Sequence, residues 1–494
     1  MLKKSTRIDI SIKTTVILFL LPHVKCCKQI TVWTAQMNIT AIRPKKIAVI
    51  GSGISGLSCA WLLNRAHQVT LYEKDDRLGG HSNTVNFDLN GTRVDVDTGF
   101  IVFNPVNYPN LVKFFEHIDL PTCATDMSFA VSIDDGQLEY SGSGLTGLFA
   151  QTRNIISPSF WSMIKDLMRF YRNTDSMMLD PSLANISLGE LLTQHGYGDR
   201  FIYDHLLPMG AAIWSTPVKQ MLDYPALSFL RFCKNHGLLQ VKDRPQWHTI
   251  PGGSIGYVNK LAAALAGNIK LNSRIHKVIR QPDGVIIEDL HGAQEHYDDV
   301  VLACHADQAL ALLDNPSDTE QQLLSSFPYQ RNKAYLHLDQ SLLPRDPKVW
   351  SSWNYMATGS GPDDREVSIS YWMNCLQPLA TKQPVIVSLN PLKEPAADKM
   401  IRTFFYDHPA FDRHSLANQQ KLWSLQGQQN TWFCGAWFGY GFHEDGLQSG
   451  LAVAEQLGGV PRPWHLDEPN SRIFASAPAS SDHPTAEVRE SANG

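Results

Sequence analysis

The 494-residue sequence lacks the features that mark several specialised classes of protein. Its 43 basic and 48 acidic residues leave a net charge of −5, which gives no electrostatic basis for binding nucleic acid. None of its eight cysteines forms a C-x-x-C pair, so a zinc site and a thiol-disulfide redox centre are both disfavoured. Single cysteines inside apolar runs, such as Cys59 and Cys304, are typical of a reducing compartment, and we expect a cytoplasmic protein.

No apolar run reaches the roughly 18 residues of a membrane-spanning helix. The run Val16–Leu21 follows several basic residues and imitates a signal peptide, but no small-residue cleavage site comes after it. We interpret residues 1–36, which precede Met37, as an over-long gene start or a disordered extension, with a targeting segment as the alternative. A peripheral membrane contact of the folded chain is left open.

Two hydrolase signatures and a second nucleotide motif are also missing. Neither H-E-x-x-H nor G-x-S-x-G occurs, so the sequence gives no support for a metalloprotease or a serine hydrolase. Gly142–Gly147 fits G-x-G-x-x-G, but it follows the hairpin turn Asp134–Gly136 and no strand ending in an acid comes about 20 residues later. We therefore predict a plain loop there and no built-in NADPH site. We also predict that the chain has no metal site.

One nucleotide motif is present in full context. Lys46–Ile50 is predicted to be a buried strand, residues 55–66 a helix and Val69–Tyr72 a second strand, and the sequence Gly-Ser-Gly-Ile-Ser-Gly of 51–56 lies at the first strand-to-helix turn. Gly51 allows the tight turn, Gly53 lets the backbone approach a pyrophosphate, and Gly56 lets the helix pack closely on the strand. The helix N-terminus supplies free N–H groups, and Ser55 can add a hydroxyl donor.

Glu73 completes this motif. It lies 22 residues after Gly51, at the end of the second strand, where a carboxylate accepts hydrogen bonds from ribose hydroxyls. A 2′-phosphate would meet like charge there, so NADP is disfavoured. The pattern predicts an α/β (α+β two-domain) chain with a Rossmann-like dinucleotide domain.

The rest of the chain alternates between two kinds of segment. Gly267–Ile279, Val285–Glu288 and Asp299–Ala303 are predicted strands, the last followed by a helix to Leu313, whereas 155–240 is helical and Lys333–Leu338 and Glu366–Met373 are strands again. We predict a cofactor domain interrupted twice by a substrate domain. In chain order the segments are an N-terminal extension (1–45), a first cofactor segment (46–120), a helical substrate segment (121–246), a second cofactor segment (247–322), a substrate segment with a sheet (323–424), a third cofactor segment (425–460) and a disordered tail (461–494).

The segment after Glu73 makes a family resemblance specific. Lys74-Asp-Asp-Arg77-Leu-Gly79-Gly80 extends the fingerprint, and Gly51–Gly80 resembles the FAD fingerprint of the flavin-containing amine oxidase superfamily, of the glutathione-reductase type of fold, with its protoporphyrinogen oxidase and phytoene desaturase relatives. The resemblance implies FAD, with Arg77, Gly79 and Gly80 near the diphosphate. Val94–Phe100 is similar to the family's segment along the flavin.

Two further matches follow the family order. Val278 corresponds to a strand whose backbone meets the adenine, and Thr431–Gly450 resembles the C-terminal FAD motif. Gly446–Leu457 is predicted to be a helix whose N-terminus stabilises charge on the flavin. The fingerprint and the resemblance together predict these FAD contacts: Gly51, Gly53, Ile54, Ser55, Gly56, Glu73, Lys74, Arg77, Gly79, Gly80, Gly99, Phe100, Val278, Gly435, Phe442, His443, Glu444 and Leu447.

The resemblance is closest to a bacterial group of amine-oxidase-like FAD proteins associated with cyclopropane fatty-acid synthases, through Trp437–Gly446 and Leu336–Asp339. No cysteine stands beside the C-terminal motif as covalent attachment would need, so we expect dissociable FAD. Phe442 holds the place where amine oxidases often carry a tyrosine of the cage that orients the amine. An amine cage is therefore not expected.

Substrate-side residues are predicted from the inserted segments. Trp353, Asn354, Tyr355, Tyr371, Trp372, Asn374 and Phe442 mix aromatic walls with sparse polar groups, as binding pockets do. Lys333, His337 and Asp339 have even spacing and so share one face of a strand; Lys333 could hold a water at the flavin and His337 could act as a base, although a structural histidine is the alternative.

Three hypotheses for function follow. The first is an FAD-dependent oxidoreductase of amine oxidase type, transferring a hydride from an organic substrate to flavin N5. The second is an acyl-chain desaturase or oxidoreductase in lipid metabolism, and the third is a non-enzymatic flavin-binding partner of a lipid-modifying enzyme. The substrate is predicted to be a small molecule or lipid-like.

Overall fold

The computed structural model describes residues 43–183, 186–214, 218–235, 237–239, 244–359 and 366–475. The predictions for residues 1–36 and for the end of the tail, 476–494, fall outside the described residues. Within the described stretches, no helix is both long enough and apolar enough to cross a membrane.

Nineteen strands are described. In chain order they are β1 (Lys46–Ile50), β2 (Gln68–Tyr72), β3 (Thr84–Leu89), β4 (Thr92–Asp97), β5 (Cys123–Thr125), β6 (Phe129–Ile133), β7 (Leu138–Ser141), β8 (Trp247–Thr249), β9 (Ile269–Lys270), β10 (Ile275–Gln281), β11 (Gly284–Asp289), β12 (Gln294–Tyr297), β13 (Asp299–Leu302), β14 (Tyr329–His337), β15 (Trp353–Thr358), β16 (Glu366–Trp372), β17 (Ile386–Leu389), β18 (Met400–Pro409) and β19 (Thr431–Phe433).

Fifteen α-helices are described with them. They are α1 (Ile54–Leu63), α2 (Pro109–His117), α3 (Leu145–Leu148), α4 (Pro158–Met178), α5 (Leu188–Gln194), α6 (Asp199–Phe201), α7 (Leu207–Trp214), α8 (Val218–Leu222), α9 (Ala226–Asn235), α10 (Ile255–Ala264), α11 (Ala306–Leu312), α12 (Asp318–Leu324), α13 (Met373–Leu376), α14 (Arg413–Gln419) and α15 (His443–Gly458).

A five-stranded parallel sheet carries the predicted βαβ unit. Its order is β19-β13-β1-β2-β9, and its central strands are apolar and almost fully buried, as strands covered on both faces must be. The chain runs from β1 through α1 to β2 on one side, and the strand on the other side of β1 is β13. The switch point between β1 and β13 is where open α/β sheets bind their ligands, at the carboxyl ends of the strands.

A seven-stranded mixed sheet forms the second layer. Its order is β18-β14-β17-β16-β15-β6-β7, antiparallel throughout except for the parallel pair β15–β6. A three-stranded sheet (β10-β11-β12) and two ribbons (β3-β4 and β5-β8) complete the set. The strands of the two large sheets come from different stretches of the chain, and these stretches alternate along the sequence as the domain prediction requires. The domain boundaries themselves stay a prediction.

Several predicted elements need correction. The single strand predicted over Gly267–Ile279 is wrong: the chain turns at Asn272, whose φ is 51°, and β9 and β10 on either side of it belong to different sheets. The plain loop predicted at Gly142–Gly147 includes the first three residues of the one-turn helix α3, directly after β7. β7 is the edge strand of an antiparallel pair and α3 has four residues, so no βαβ nucleotide site forms there.

The disordered tail predicted from residue 461 is wrong for residues 461–475. Arg462 is 7% exposed and its guanidinium bonds both carboxylate oxygens of Glu455 at 2.8 Å. The same group donates to Asn110 Oδ1 at 2.8 Å. Composition indicated disorder because proline, serine and charge dominate this stretch, but Arg462 ties it to Glu455 of α15 and Asn110 of α2, and composition does not reveal such contacts.

Candidate functional site

The glycine loop at the end of β1 has the geometry that a diphosphate needs. Gly51 has φ +106°, and a Cβ there would lie 2.5 Å from the Ala303 carbonyl oxygen at the end of β13. A Cβ on Gly56 would lie 1.9 Å from the Gly51 oxygen, so α1 can start this close to β1 only with glycine. A Cβ on Gly53 would meet nothing within 4 Å, which leaves that side of the loop open to a ligand. The residues present therefore fit a bound dinucleotide.

Glu73 is buried at the end of β2 and holds this loop. Its Oε2 accepts from the Ser52 N–H at 3.0 Å and from the Ser52 hydroxyl, and its Oε1 accepts from the Asp75 N–H at 3.0 Å. A carboxylate fixed in this way at the end of the second strand is placed for ribose hydroxyls. The loop-holding role of Ser52 was not predicted, because a serine between two glycines carries no distinctive pattern.

The second glycine pair lies against the first. Gly79 N donates to the Ser52 carbonyl at 3.0 Å, and a Cβ on Gly80 would be 3.2 Å from Gly53 Cα. Both glycines have positive φ, at +105° and +56°. Arg77 is half-buried beside them and Lys74 is exposed. The structure thus brings the two halves of the fingerprint together at the N-terminus of α1.

The chain after Gly80 joins this loop to the other predicted cofactor segments. The His81 carbonyl accepts from the Phe100 N–H at 2.8 Å, and a Cβ on Gly99 would be 2.1 Å from that same oxygen. Gly99 therefore allows the two segments to touch. His81 was missed by sequence reasoning, although its position directly after the glycine pair was a usable signal.

The N-terminus of α15 meets the same two segments, around His81 and Phe100. The His443 ring stacks on the Phe100 ring with centroids 3.7 Å apart and planes at 6°. Its Nε2 lies 2.9 Å from the Tyr257 hydroxyl and 3.1 Å from Ser82 Oγ. Burial, with a smaller contribution from His81, lowers the pKa of His443 to about 3, so this histidine is neutral at physiological pH.

Helix α15 begins earlier in the chain than the sequence pattern predicted. It starts at His443 rather than Gly446, and it crosses α1 through glycines: a Cβ on Gly446 would be 2.9 Å from the Ile54 side chain, and one on Gly450 would be 2.3 Å from the Ser55 carbonyl. Leu447 is fully buried on this helix. Two helix N-termini, those of α1 and α15, therefore converge on one region, which favours a long anionic ligand.

The Glu444 side chain faces away from that region. Its carboxylate accepts from the Asn110 N–H and the Leu111 N–H at 3.0 Å each and so caps α2; the Gln448 amide adds a bond of 2.9 Å. Burial raises the pKa of Glu444. The predicted FAD contact can therefore involve only its backbone.

Asp445 and Arg472 form a second buried pair that sequence reasoning missed. Arg472 Nε lies 2.6 Å from Asp445 Oδ1 and Nη2 lies 3.1 Å from Oδ2. Arg472 Nη1 also donates to the Asn107 carbonyl at 2.9 Å. The stretch 461–475 thereby ties α2 to the start of α15, a contact between distant regions of the chain that no local pattern reveals.

Gly435 and Val278 occupy structural positions close to these segments. A Cβ on Gly435 would be 2.3 Å from the Trp437 indole nitrogen, and Gly435 N donates to Ser449 Oγ of α15 at 3.0 Å. Val278 is fully buried in β10, and its carbonyl accepts from the Asp314 N–H at 3.1 Å. The adenine contact assigned to Val278 stays a prediction.

One face of the seven-stranded sheet is turned toward the cofactor segments. Tyr406 packs on that face with Tyr371 and Phe404 around it, and its hydroxyl bonds Asn83 Nδ2 at 2.9 Å and Thr98 Oγ1 at 2.7 Å. Asn83 and Thr98 flank the His81–Gly99 junction. We name this surface the inner face and the opposite one the outer face.

Three of the predicted pocket residues lie on the inner face. Trp353 pairs with Tyr371 across β15 and β16, and their rings meet edge to face at 5.1 Å. Tyr355 lies two residues along β15 from Trp353, so it shares this face, and it is fully buried. Trp353, Tyr355 and Tyr371 therefore lie together on one sheet surface, and their role in a substrate pocket stays a prediction.

The other pocket candidates lie elsewhere. Trp372 follows Tyr371 and therefore points to the outer face, where it meets Trp350 edge to face at 5.5 Å. Asn354 Nδ2 donates to the Ser351 and Ser370 carbonyls at 2.6 and 3.0 Å, and Asn374 holds the chain between α13 and β17 through Thr381, Gln383 and Val385. Trp372 and Asn354 do not lie on the inner face, because a strand turns successive side chains to opposite faces, and Asn374 lies on α13 rather than on a strand of the sheet.

Lys333 and His337 both lie on the outer face. Lys333 Nζ pairs with Glu394 Oε1 at 2.7 Å near the surface. His337 is fully buried; its Nδ1 accepts from the Asp339 N–H at 3.0 Å and its Nε2 lies 2.8 Å from Ser388 Oγ. Burial lowers the pKa of His337 to about 4. The shared face of the two residues is confirmed, but that face is turned away from Asn83 and Thr98, so neither is placed as a flavin-facing group.

Asp339 does not belong to the strand, because β14 ends at His337 with a bulge between Leu336 and His337. The Asp339 carboxylate caps the following turn at Ser341 and accepts from the Ala396 N–H at 3.0 Å. Burial acts to raise its pKa, but these N–H bonds lower it to about 2.

Three histidines gather where the inner face meets the carboxyl edge of the parallel sheet. His81 lies with its ring centroid 5.3 Å from that of His408 on β18 and 6.4 Å from that of His305, just after β13. The Tyr406 ring is 5.1 Å from the His81 ring. We name His81, His305 and His408 the histidine cluster. It was not predicted, because three separate segments supply it.

A surface cavity of about 510 Å³ opens beside β5 and α13, near Gln377, whose side chain bonds Asp97. Its lining mixes polar and apolar surface and comprises Ala124, Thr125, Asp126, Gln246, Asn374, Cys375, Gln377 and Pro378. It does not include the inner-face aromatics.

The comparisons with known proteins agree with this geometry. The profile of the flavin containing amine oxidoreductases matches residues 54–458. The chain belongs to that family. The glycine loop, Glu73 and the two helix N-termini are the features that fit the FAD of this family.

Sequence relatives include 4,4'-diapophytoene desaturase (4,4'-diaponeurosporene-forming) of Staphylococcus aureus strain Newman, 25% identical over 263 residues, or 48% of this chain and 50% of the relative. The same enzyme of strain COL matches to the same extent. The chain thus matches about half the length of these curated relatives.

Solved structures share the fold. A putrescine oxidase bound to putrescine superposes with a TM-score of 0.62 at 15% identity, covering 84% of this chain and 99% of the other. A CLA-producing fatty acid isomerase from P. acnes superposes with a TM-score of 0.59 at 15% identity, covering 83% and 97%. At this identity the likeness concerns the fold alone, and it confirms the predicted two-domain α/β class.

Proposed function

We propose that this flavoenzyme removes two hydrogens from an apolar, acyl-chain-like substrate, with hydride transfer to flavin N5. The observation that carries the proposal is the position of Arg472. Its guanidinium carbon lies 5.5 Å from the centre of the Tyr440 ring and 5.9 Å from that of Phe442, the ring at the position of the amine cage. That guanidinium, paired with the Asp445 carboxylate, already takes the place of a cation beside those rings, so they offer no open site to a substrate ammonium.

Two further features support an apolar substrate. The Phe442 ring stacks on Phe232 of α9 with centroids 5.1 Å apart, which gives an aromatic wall rather than an open cage. A buried ammonium needs a carboxylate to offset its lost hydration, and the candidate Asp339 is committed to its own turn. An acyl chain needs no such partner, and each buried CH₂ contributes about 0.8 kcal/mol.

The similar proteins do not decide between an amine and an acyl chain as the substrate. The family name and putrescine oxidase favour an amine, whereas the names 4,4'-diapophytoene desaturase and CLA-producing fatty acid isomerase favour a substrate other than an amine. Amine oxidation is the second candidate, and a flavin-binding partner without activity is the third. The position of Arg472 favours the acyl chain.

The test is anaerobic mixing of the flavin-loaded protein with two panels of compounds, fatty-acyl lipids and simple amines, while the visible flavin band is followed. We expect bleaching with lipid and none with amines. Phe232→Ala, which opens the wall, is expected to slow bleaching by lipid, and Phe405→Ala, on an exposed outer-face ring, serves as the control. Bleaching by an amine alone restores the amine oxidase, and no bleaching by either panel supports the binder.

We further propose that the chain meets a membrane surface to obtain such a lipid. Ile156 is 82% exposed, Ile155 50% and Trp161 47%, and the Trp161 indole donates to the Ile155 carbonyl, so the three form one apolar patch with the exposed Arg153 beside it. Flotation with vesicles containing anionic lipid is expected to carry the protein. Ile156→Asp should abolish this, whereas Leu290→Asp, on a distant exposed hairpin residue, should not.

A further inference from the structure

A histidine between the N-termini of α1 and α15 has a ring nitrogen with no hydrogen-bond partner among the described residues. Gly80 contacts Gly53, the residue before α1, and Ser82 Oγ contacts His443, the first residue of α15. His81 is the residue between them. Its Nε2 is buried, and within the described chain no group hydrogen-bonds to it.

A buried nitrogen without a partner costs free energy, so its retention calls for a role. The other members of the histidine cluster are held in place. His408 Nδ1 lies 2.8 Å from Asn332 Nδ2, and Asn332 Oδ1 accepts from Asn390 at 2.7 Å. His305 stacks on Tyr329 at 4.3 Å. Of these three histidines, only His81 has a buried ring nitrogen without a hydrogen-bond partner in the part of the chain that the structure describes.

We infer that His81 takes the proton that the substrate loses when its hydride leaves. This inference rests on the proposed dehydrogenation. Two C–H bonds of the substrate break: one hydrogen leaves with its electron pair as a hydride, which bound FAD would accept, and the other leaves as a proton, which forms an N–H bond at His81 Nε2. The C–H electron pair left behind becomes the new double bond, so charge and atoms balance.

The titratable and charged groups around His81 are consistent with this proton transfer. His305, His408, His443 and Tyr406 surround it, with Arg77 on its own segment; Asp407 and Lys74 act on His305, and Asp407 on His408. Burial, then His305 and Arg77, lowers the pKa of His81 to about 4. A negative charge gained by a neighbouring cofactor raises a histidine pKa by about 1–3. His81 thus becomes basic as the hydride arrives.

The test needs no substrate: the midpoint potential of the flavin-loaded protein is measured between pH 5 and pH 8. One proton per two electrons gives a slope of about 30 mV per pH unit, and two protons give about twice that. We expect the two-proton slope between pH 5 and pH 6 and the one-proton slope near pH 8. His81→Gln should show the one-proton slope throughout, with flavin content measured first.

Two variants sharpen the result. His305→Gln removes a neighbour that lowers the His81 pKa, so the two-proton range should begin at a higher pH. His205→Gln is the matched control, because His205 is half-buried like His81, also has an unpartnered Nε2 among the described residues and a pKa lowered to about 4, but lies beside α6 and β7. It should behave as the wild type.

A one-proton slope in the wild type at every pH overturns the inference, and so does a two-proton slope that persists in His81→Gln, since the proton would then reside on the cofactor or another residue. If His81→Gln does not hold FAD, the wild type and His305→Gln decide. Failure of both substrate panels leaves this measurement intact, so the two claims fail separately.

Discussion

The Arg472 guanidinium clamps the buried Asp445 carboxylate at the start of α15, with Nε 2.6 Å from Oδ1. Arg472→Ala should destabilise the fold by about 3–5 kcal/mol, because it leaves a buried charge without its partner. Urea unfolding measures the change. Arg413→Ala, which breaks an exposed pair with Glu190, should cost under about 1 kcal/mol. A loss in Arg472→Ala no larger than that of Arg413→Ala would show that the tail does not secure α15.

Glu73→Ala should weaken FAD binding roughly tenfold to a hundredfold. The carboxylate orders the glycine loop through Ser52, and a hydrogen bond to a charged group contributes about 1.5–3 kcal/mol. Titration of the FAD-free protein with FAD, followed by fluorescence, gives the affinity. Asp76→Ala, on an exposed residue of the same loop, is the control. Equal affinities for the two variants would remove Glu73 from the site.

His337→Asn should lower stability and leave flavin reduction unchanged. Its two ring nitrogens bond the Asp339 N–H and Ser388 Oγ on the outer face, so the substitution is expected to cost about 1–3 kcal/mol. Lys333→Ala should change stability by under about 1 kcal/mol, because its ion pair is exposed. A large fall in the rate of flavin reduction in either variant, at full flavin content, would restore it as a catalytic residue.

The sequence predicted the regions of the site whose partners are near in the chain. Gly51, Gly53, Gly56 and Glu73 lie within one βαβ unit, so local spacing was enough to place them. Lys333 shows where such reasoning fails. Strand geometry has a period of two, and an offset of one residue moves a side chain to the other face, so it is Asn332 that faces the cofactor segments.

The missed residues all depend on distant contacts. His408 meets His81 across more than 300 residues, and Arg472 reaches Asp445 from a stretch with the composition of a disordered tail. Neither shows a periodic pattern or a motif. Only tertiary packing of the two large sheets and of the final segment brings them to the site.

Acid should destabilise the protein through histidines that the fold keeps neutral. The pKa values of His81 and His305 are lowered to about 4, and those of His408 and His443 to about 3, against about 6.5 in an unfolded chain. The unfolded state therefore binds more protons below about pH 6.5. The stabilisation is complete above that pH and is lost as pH falls toward the folded values, by up to about 1.4 kcal/mol per pH unit for each group.

Urea unfolding at pH 7.5 and pH 5 measures this effect, and His443→Phe isolates one group. Phenylalanine keeps the stack on Phe100 but cannot be protonated, so the loss of stability on acidification should be smaller than in the wild type. The raised pKa values of Glu444 and Asp445 act in the opposite sense and are common to both proteins. An identical acid sensitivity of the two proteins would contradict the assignment.

The most direct measurement is mass spectrometry of acyl lipids after one anaerobic turnover with flavin-loaded protein. The account predicts acyl chains lighter by two hydrogens, in an amount equal to the flavin bleached. Unchanged lipids, together with conversion of a simple amine to its imine or aldehyde by the same preparation, would contradict it.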